Sequence, residues 1–505
     1  MVPYFYHRMD EGIRRRVEEL LAKQYPNLRI KIRSAVLMKG EGIALRGLSI
    51  IDPAAEGPGV ELLSYDECFL ACSTDLSDLF SGQVNPTRVT IRRPTLRMTR
   101  RPDGTWSAAR LLPLPSFTDG PLPELRFENG TIEIFDPTKA VACTLTLRDV
   151  NLVLSPIAPA EGRVRTKRRQ RIEGTATGDY FHHVTFDGEV GPDHPELCLA
   201  GTIYGVEISP EMRNVLPDAF GCKLSVLGSL RGQAEAHFQV TYDPALPEMW
   251  KFDVTGQLTR GRIDDPRLPR PLTEIRATVH VDNQDFAIQE FKARSNQATL
   301  SLTCSGSLKS SSPMSIEADV GQLPLDEQLR AILPGKLQEE WQKLRPEGLV
   351  DVNTQLRYDG RAWQPHMRIK CQNVSFAHYK FPYRLEHGSG LLELKDNRLQ
   401  INLSTFSENQ LVHIVGEVCN PMNGPTGWLQ VTSDELPIDE KMLNALPTRA
   451  QSLARSMDLK GTIGFKYELS RDISEGPEHQ HLQVRAGNCW LRCDQFPYAI
   501  SKVHG

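Results

Sequence analysis

Few side chains in this 505-residue chain are grouped tightly enough to do chemistry. The histidines gather at His182-His183 and at His479 and His481, which follow Glu478. On a strand, residues two apart share a side, so His479, His481 and a carboxylate could hold a metal. No third ligand stands at a usual spacing, and ISEGPEHQH reads as an exposed loop, so no metal site is expected. Asp264-Asp265 and Glu339-Glu340 are adjacent carboxylates whose side chains diverge on a strand or helix. They read as solvated surface. The chain has no GxGxxG or GxxxxGK phosphate loop and no GxSxG nucleophile elbow. The expectation is a protein that is not an enzyme, with no catalytic residue and no cofactor.

Two further residue types remain. Ten cysteines are too few for a disulfide scaffold, and Cys68/Cys72 and Cys489/Cys493, four apart on strands, sit too far apart to bridge easily. They read as small buried hydrophobes. The segment from Gly162 to Arg171 carries Arg163, Arg165, Lys167, Arg168, Arg169 and Arg171, a run able to grip anionic headgroups or to stand in water as a surface loop. No aromatic residues interleave with it, and the net charge is −4, so nucleic acid is not an expected partner. Sequons occur at Asn129, Asn373 and Asn402, the first of which reads better as a turn residue.

What the chain does supply in quantity is alternating apolar residues. Leu-Pro pairs at Leu216-Pro217, Leu333-Pro334 and Leu446-Pro447 stand 117 and 113 residues apart. Before each comes an apolar residue and then Ser209, Asp326 or Asp439, side chains that accept from the free N–H groups of a first helical turn. After each come Gly232, Gly348 or Gly461 and then a run with period two. The runs hold Phe238 and Val240; Val350, Val352 and Leu356; and Ile463 and Phe465, each predicting a strand with one apolar face. A second landmark, at Leu268-Pro269, Phe381-Pro382 and Phe496-Pro497, keeps nearly the same step, and the last falls close to Gly505. The sequence therefore reads as part of a longer protein, mainly β with short helices, built from repeats of about 114 residues. The expected divisions are residues 1–25, 26–155, 156–260, 261–373, 374–488 and 489–505, the last a truncated repeat.

At the N-terminus, Tyr4, Phe5 and Tyr6 precede a stretch from Met9 to Ala22 in which Ile13, Val17, Leu20 and Leu21 have helical spacing. Aromatics before such a helix suit a membrane interface, with an anchor preceding residue 1. No run of eighteen apolar residues lies within the chain. Further on, Asn129-Gly130 within LRFENGTIEIFD predicts a hairpin turn.

The succession GIALRGLSIIDP, a helical DLSDLFSG, VTIRRPTLRMTRRPDGTWSAARLL and LRFENGTIEIFDP resembles the N-terminal region of AsmA-like proteins, over about residues 10–155. The repeats match that family only in style. The resemblance implies a bacterial envelope protein of the bridge-like lipid-transfer group, held in the inner membrane by a helix ahead of this region and facing the periplasm. It implies a long bent sheet forming a groove for phospholipid acyl chains, a possible outer-membrane partner, and no catalytic residue. The other class open to such repeats is a set of closed β-sandwich-like modules acting as a spacer or partner platform.

Overall fold

The structure is a computed structural model that describes residues 2–74, 86–101, 106–111, 122–137, 143–157, 169–190, 197–215, 228–243, 246, 250–308, 312–474, 476–493 and 496–505. The chain is mainly β, and among the described residues the strands form one sheet of twenty-five. In order these are β1 Arg29–Met38, β2 Gly42–Ile51, β3 Glu61–Ala71, β4 Arg88–Arg92, β5 Thr95–Thr99, β6 Glu124–Asp136, β7 Cys143–Pro156, β8 Gln170–Gly178, β9 Phe181–Val190, β10 Leu197–Ile208, β11 Leu230–Tyr242 and β12 Trp250–Ile263. They continue with β13 Leu272–Asp282, β14 Asp285–Ser295, β15 Ala298–Ser307, β16 Met314–Pro324, β17 Glu347–Tyr358, β18 Trp363–His378, β19 Phe381–Lys395, β20 Arg398–Ser407, β21 Gln410–Cys419, β22 Thr426–Pro437, β23 Lys460–Arg471, β24 His479–Cys493 and β25 Phe496–Val503. The helices are α1 Val2–Gln24, α2 Pro210–Val215, α3 Glu327–Ile332, α4 Gly335–Leu344, α5 Glu440–Ala445 and α6 Thr448–Ser456. Two compact units divide the chain, residues 1–261 with 280–283, and residues 262–279 with 284–505.

In the first unit α1 lies against β1. Ile13, Val17 and Leu21 pack on a core of Ile32, Leu45, Leu48, Leu62 and Val89. Leu20, expected on that face, is instead 52% exposed, because it stands on the side of the helix turned away from the core that Ile13, Val17 and Leu21 pack on. Asp10 accepts from the Leu37 N–H at 3.0 Å and Glu18 from the Ile32 N–H at 2.8 Å, so acidic side chains occupy two donors on β1. An uncovered edge would template further pairing. Arg14 bonds Glu11 and Glu18, and Arg16 reaches Glu19.

The stretches DLSDLFSG and, within RRPDGTW, residues 102–104 lie outside the described residues. The hairpin expected at Asn129-Gly130 does not form: β6 runs straight through, pairing in parallel first with β4 and then with β5. Asn129 adopts φ 53° and its N–H donates to Asn151 Oδ1 at 3.0 Å, making a bulge between Phe127 and Gly130 instead of a reversal. A Cβ at Gly130 would crowd the Pro94 ring and the Val150 carbonyl, which is why glycine stands there.

The helices recur as the spacing predicts. Ser209 Oγ accepts from Met212 N–H, Asp326 from Gln328 and Leu329, and Asp439 from Met442. Six strands separate each helical insertion from the next, β11 to β16 and then β17 to β22, so a repeat of about 114 residues is six strands plus a helical link. Hairpin order follows chain order within these repeats, as in β14–β15–β16–β17.

Candidate functional site

Directly opposed residues in an antiparallel ladder point to the same side. The strand registers therefore let one face be followed from strand to strand. In the second unit Val352 stands opposite Val320, which faces Leu300, which faces Ala293. In the other direction Val352 faces Ile369, and the row goes on through Leu392, Ile401, Gly416, Leu429 and Leu469. A neighbouring row joins Leu356, Ile316 and Cys304. Another joins Val350, Cys371, Gly390, Leu403, Ile414, Val431, Tyr467 and Leu482. Each is a continuous apolar row across the strands.

The opposite face is polar by the same reasoning. Asn353 lies between Asp319, whose carboxylate accepts from it at 2.6 Å, and Arg368. Gln355 donates to Glu317 at 2.8 Å. Glu393 accepts from Arg368 at 2.9 Å and meets His366 at 2.8 Å, and these two neighbours, His366 first, hold its carboxyl below the usual carboxylate range. Water covers this side.

Bulges preserve the division. Between β16 and β17 the pairing steps from Val320↔Val352 to Leu323↔Val350, three residues against two, with Gln322 at φ 53°. The extra residue bends the strand and keeps Val320 and Leu323 on one side.

Cover on the apolar face comes only in part from helices. Leu325, just ahead of α3, packs with Val350, Cys371 and Val374, and Val350 is 4% exposed. Burial pushes the Cys371 thiol up to about 11. Met442 and Ala445 of α5 pack with Tyr383, Val412, Ile414 and Leu436. Val352 borders the first of these clusters and Ile463 and Phe465 the second, and all three stay half-buried, as does Leu356 away from both. On β24, Leu482 is 60% and Val484 56% exposed, on the same face as Tyr467 and Phe465.

In the first unit Phe238 and Val240 lie on the equivalent side of β11. Phe238 faces Gly201, then Phe186, then Gly174 across β10, β9 and β8. A Cβ at Gly201 would come within 2.7 Å of the Phe238 ring, and one at Gly174 within 2.4 Å of the Phe186 ring, so each phenyl lies over a glycine. Val240 faces Leu199 in the same way. The expected apolar positions thus fall on apolar faces, each within its own unit. The rows contributed by the other strands, such as Leu300, Ile369 and Leu429, were signalled by the same alternation.

Other expectations fall differently. His479 and His481 are on β24 and not in a loop, and His481 faces Glu468. Among the described residues no three His, Cys, Asp or Glu gather as metal ligands. Tyr4, Phe5 and Tyr6 belong to α1, their side chains outside the described set. Arg163, Arg165, Lys167 and Arg168 lie outside the described residues, while Arg169 pairs with Glu189 at 3.1 Å and Arg171 with Glu173 at 2.7 Å. Among the described residues no helix is long and apolar enough to cross a membrane. Cys68, Cys371 and Cys489 are free and buried, as small hydrophobes should be, but Cys198 is exposed.

No protein-family model matches this chain. No curated protein matches it either.

Proposed function

We propose that the apolar face holds lipid acyl chains and lets them move along it, as a passive lipid-conducting surface. One observation carries this reading: an apolar row runs unbroken from β14 to β23 in the second unit, and the helices cover only part of that face. Hydrocarbon gains roughly 0.8 kcal/mol per buried CH₂, so a tail crossing water unaided meets a barrier on the order of 10 kcal/mol. A face that stays apolar from strand to strand lowers that barrier with no nucleophile, metal or cofactor. The polar face keeps the sheet in water. The resemblance to AsmA-like proteins adds phospholipid as the class of cargo, the periplasmic side of a bacterial inner membrane as the location, with an anchor ahead of residue 1, and an outer-membrane partner as the destination. Closed sandwich-like modules would need a second sheet on each apolar face, and the described strands belong to one sheet.

The test contrasts two positions on β17. Leu356→Asp lies on the half-buried part of the face and should leave the melting temperature almost unchanged while phospholipid detected by mass spectrometry in purified protein falls several-fold. Val350→Asp puts a charge under Leu325 and should cost at least about 3 kcal/mol of stability. Wild-type protein purified from membranes without bound phospholipid would end this reading.

A further inference from the structure

Helix α4 ties together turns that lie at opposite ends of the strands. Its last turn meets the β18–β19 turn, where the Tyr379 N–H donates to the Lys343 carbonyl at 2.8 Å. That turn joins His378 to Phe381, at the same strand ends as the β16–β17 link that contains α3 and α4. At the other end of the helix, Lys336 Nζ donates to the Met422 carbonyl at 2.6 Å and to Asn423 Oδ1 at 3.1 Å. Met422 and Asn423 belong to the β21–β22 turn, beside Cys419 and Thr426. The registers put Cys419 opposite Arg398 and Arg398 opposite Lys395, so this turn stands at the strand ends away from Tyr379. A ten-residue helix spans about 15 Å, less than half the length of the strands whose two ends it joins. The strands from β18 to β22 must therefore curl until their two ends face each other, with α4 across the gap.

The link begins on the apolar side. Leu325, at the entry to α3, packs on the cluster of Val350, Cys371 and Val374, and Asp326 is held by Arg270 as well as by its capping bonds. The α3–α4 pair is thus fastened at Asp326, at Lys343 and, through one lysine, at the far turn. This last fastening is the weakest, made by a single exposed ammonium, and exposed contacts of that kind are worth little. One repeat on, the residue equivalent to Lys336 is again basic, Arg449.

We propose that α4 is a releasable strap across the mouth of the lipid-bearing face, latched by Lys336 on Met422 and Asn423. The proposal rests on the lipid reading above and adds its regulation. Acyl chains can pass beneath a helix that bridges the two sets of strand ends. A headgroup must stay in water and so must pass through the gap between the two sets of strand ends, which α4 bridges. Each headgroup moving from β17 toward β22 then requires the Lys336 latch to open. The strap sets the rate of passage, not the amount bound.

The test is transfer of fluorescent phospholipid between vesicles by the full 505-residue chain. Lys336→Cys with Asn423→Cys, joined by a short bismaleimide, fixes the strap, with the parental chain and its ten native cysteines, and the variants carrying one introduced cysteine, treated alike as controls. Lys336→Ala frees it, and its folding is checked by circular dichroism. The expected result is unchanged lipid binding in all forms, transfer slowed at least about tenfold in the cross-linked chain, and transfer at or above the parental rate in Lys336→Ala. A cross-linked chain that binds and transfers lipid at the parental rate overturns the strap and leaves the lipid reading standing. A parental chain that takes up no lipid overturns both.

Discussion

Asp52 shows how a single side chain organises its surroundings. It follows the apolar strand β2 and is 1% exposed, yet it is a carboxylate. Arg110 donates to it at 2.7 Å and Arg101 at 3.2 Å, and its own Oδ1 accepts from the Ala54 N–H. A buried charge is tolerated only when paired and hydrogen-bonded. Asp136, buried at the end of β6, repeats the arrangement with Arg100 at 3.2 Å. Both aspartates precede a proline and close apolar strands. Their partners are not legible in the sequence, because the arginines lie far along the chain and come near only once β5 pairs with β3 and β6. Asp52→Ala leaves two half-exposed guanidinium groups facing a void of polar groups. It should lower stability by on the order of 3 kcal/mol in urea unfolding, whereas Asp66→Ala, whose pair with Arg93 is exposed on both sides, should change it by less than about 1 kcal/mol. Equal losses at the two sites would show that burial at Asp52 does not matter.

At the scale of elements, the capped helices and the strands they introduce were legible because local rules and global packing agree on them. Asp326 is three residues from an amide it caps, and Val350, Val352 and Leu356 alternate because one side of β17 is apolar. Elements failed to read out where tertiary pairing outvoted local chemistry. Asn129-Gly130 has the composition of a hairpin turn, but parallel partners on β4 and β5 hold both halves in one direction. His479 and His481 look like loop residues, but β23 offers them a ladder. The curl that lets α4 reach Met422 leaves no local signature at all, since it sums bulges and twist over several strands. The Asp326 cap yields a prediction with a pH sign. Burial opposes its ionisation, but the Leu329 N–H and Arg270 outweigh this and hold its carboxyl below the ordinary value of 3.8. A depressed carboxyl stabilises the fold fully above its unfolded value and loses that contribution as pH falls toward the folded one. Asp326→Ala should therefore cost about 1–2 kcal/mol at neutral pH, and the difference from wild type should shrink on acidification below the ordinary carboxylate range. Parallel stability curves for the two proteins down to acid pH would contradict it.

For the molecule as a whole, the repeat makes a demand that no single contact makes. If six strands and a helical link form one unit, two successive links should be interchangeable. The registers on either side of them are the same. Leu323 opposes Val350 and Pro324 opposes Leu349, while 113 residues later Leu436 opposes Ile463 and Pro437 opposes Thr462. The bulge falls at the same step, between Val320 and Leu323 and between Ser433 and Leu436. Asp326 and Asp439 cap equivalent helices. Excising residues 327–439 joins Asp326 to Glu440, so β16 meets β23 through α5 and α6 in the register that β22 now keeps. Val320 then faces Phe465's neighbourhood, apolar against apolar, and the polar side remains polar. In a protein whose stability is a sum over neighbouring repeats, the shortened chain should stay folded, with a cooperative unfolding transition and unchanged strand content per residue by circular dichroism. It should hold fewer lipids, in proportion to the loss of six strands, or roughly 29 Å of sheet at about 4.8 Å per strand. The excision also removes Lys336 and the β21–β22 turn, so transfer by the shortened chain should lose its dependence on the cross-linkable latch. A molten or aggregated product would mean that the repeat in the sequence is not a repeat in folding, and that the apolar rows depend on the whole sheet for their order.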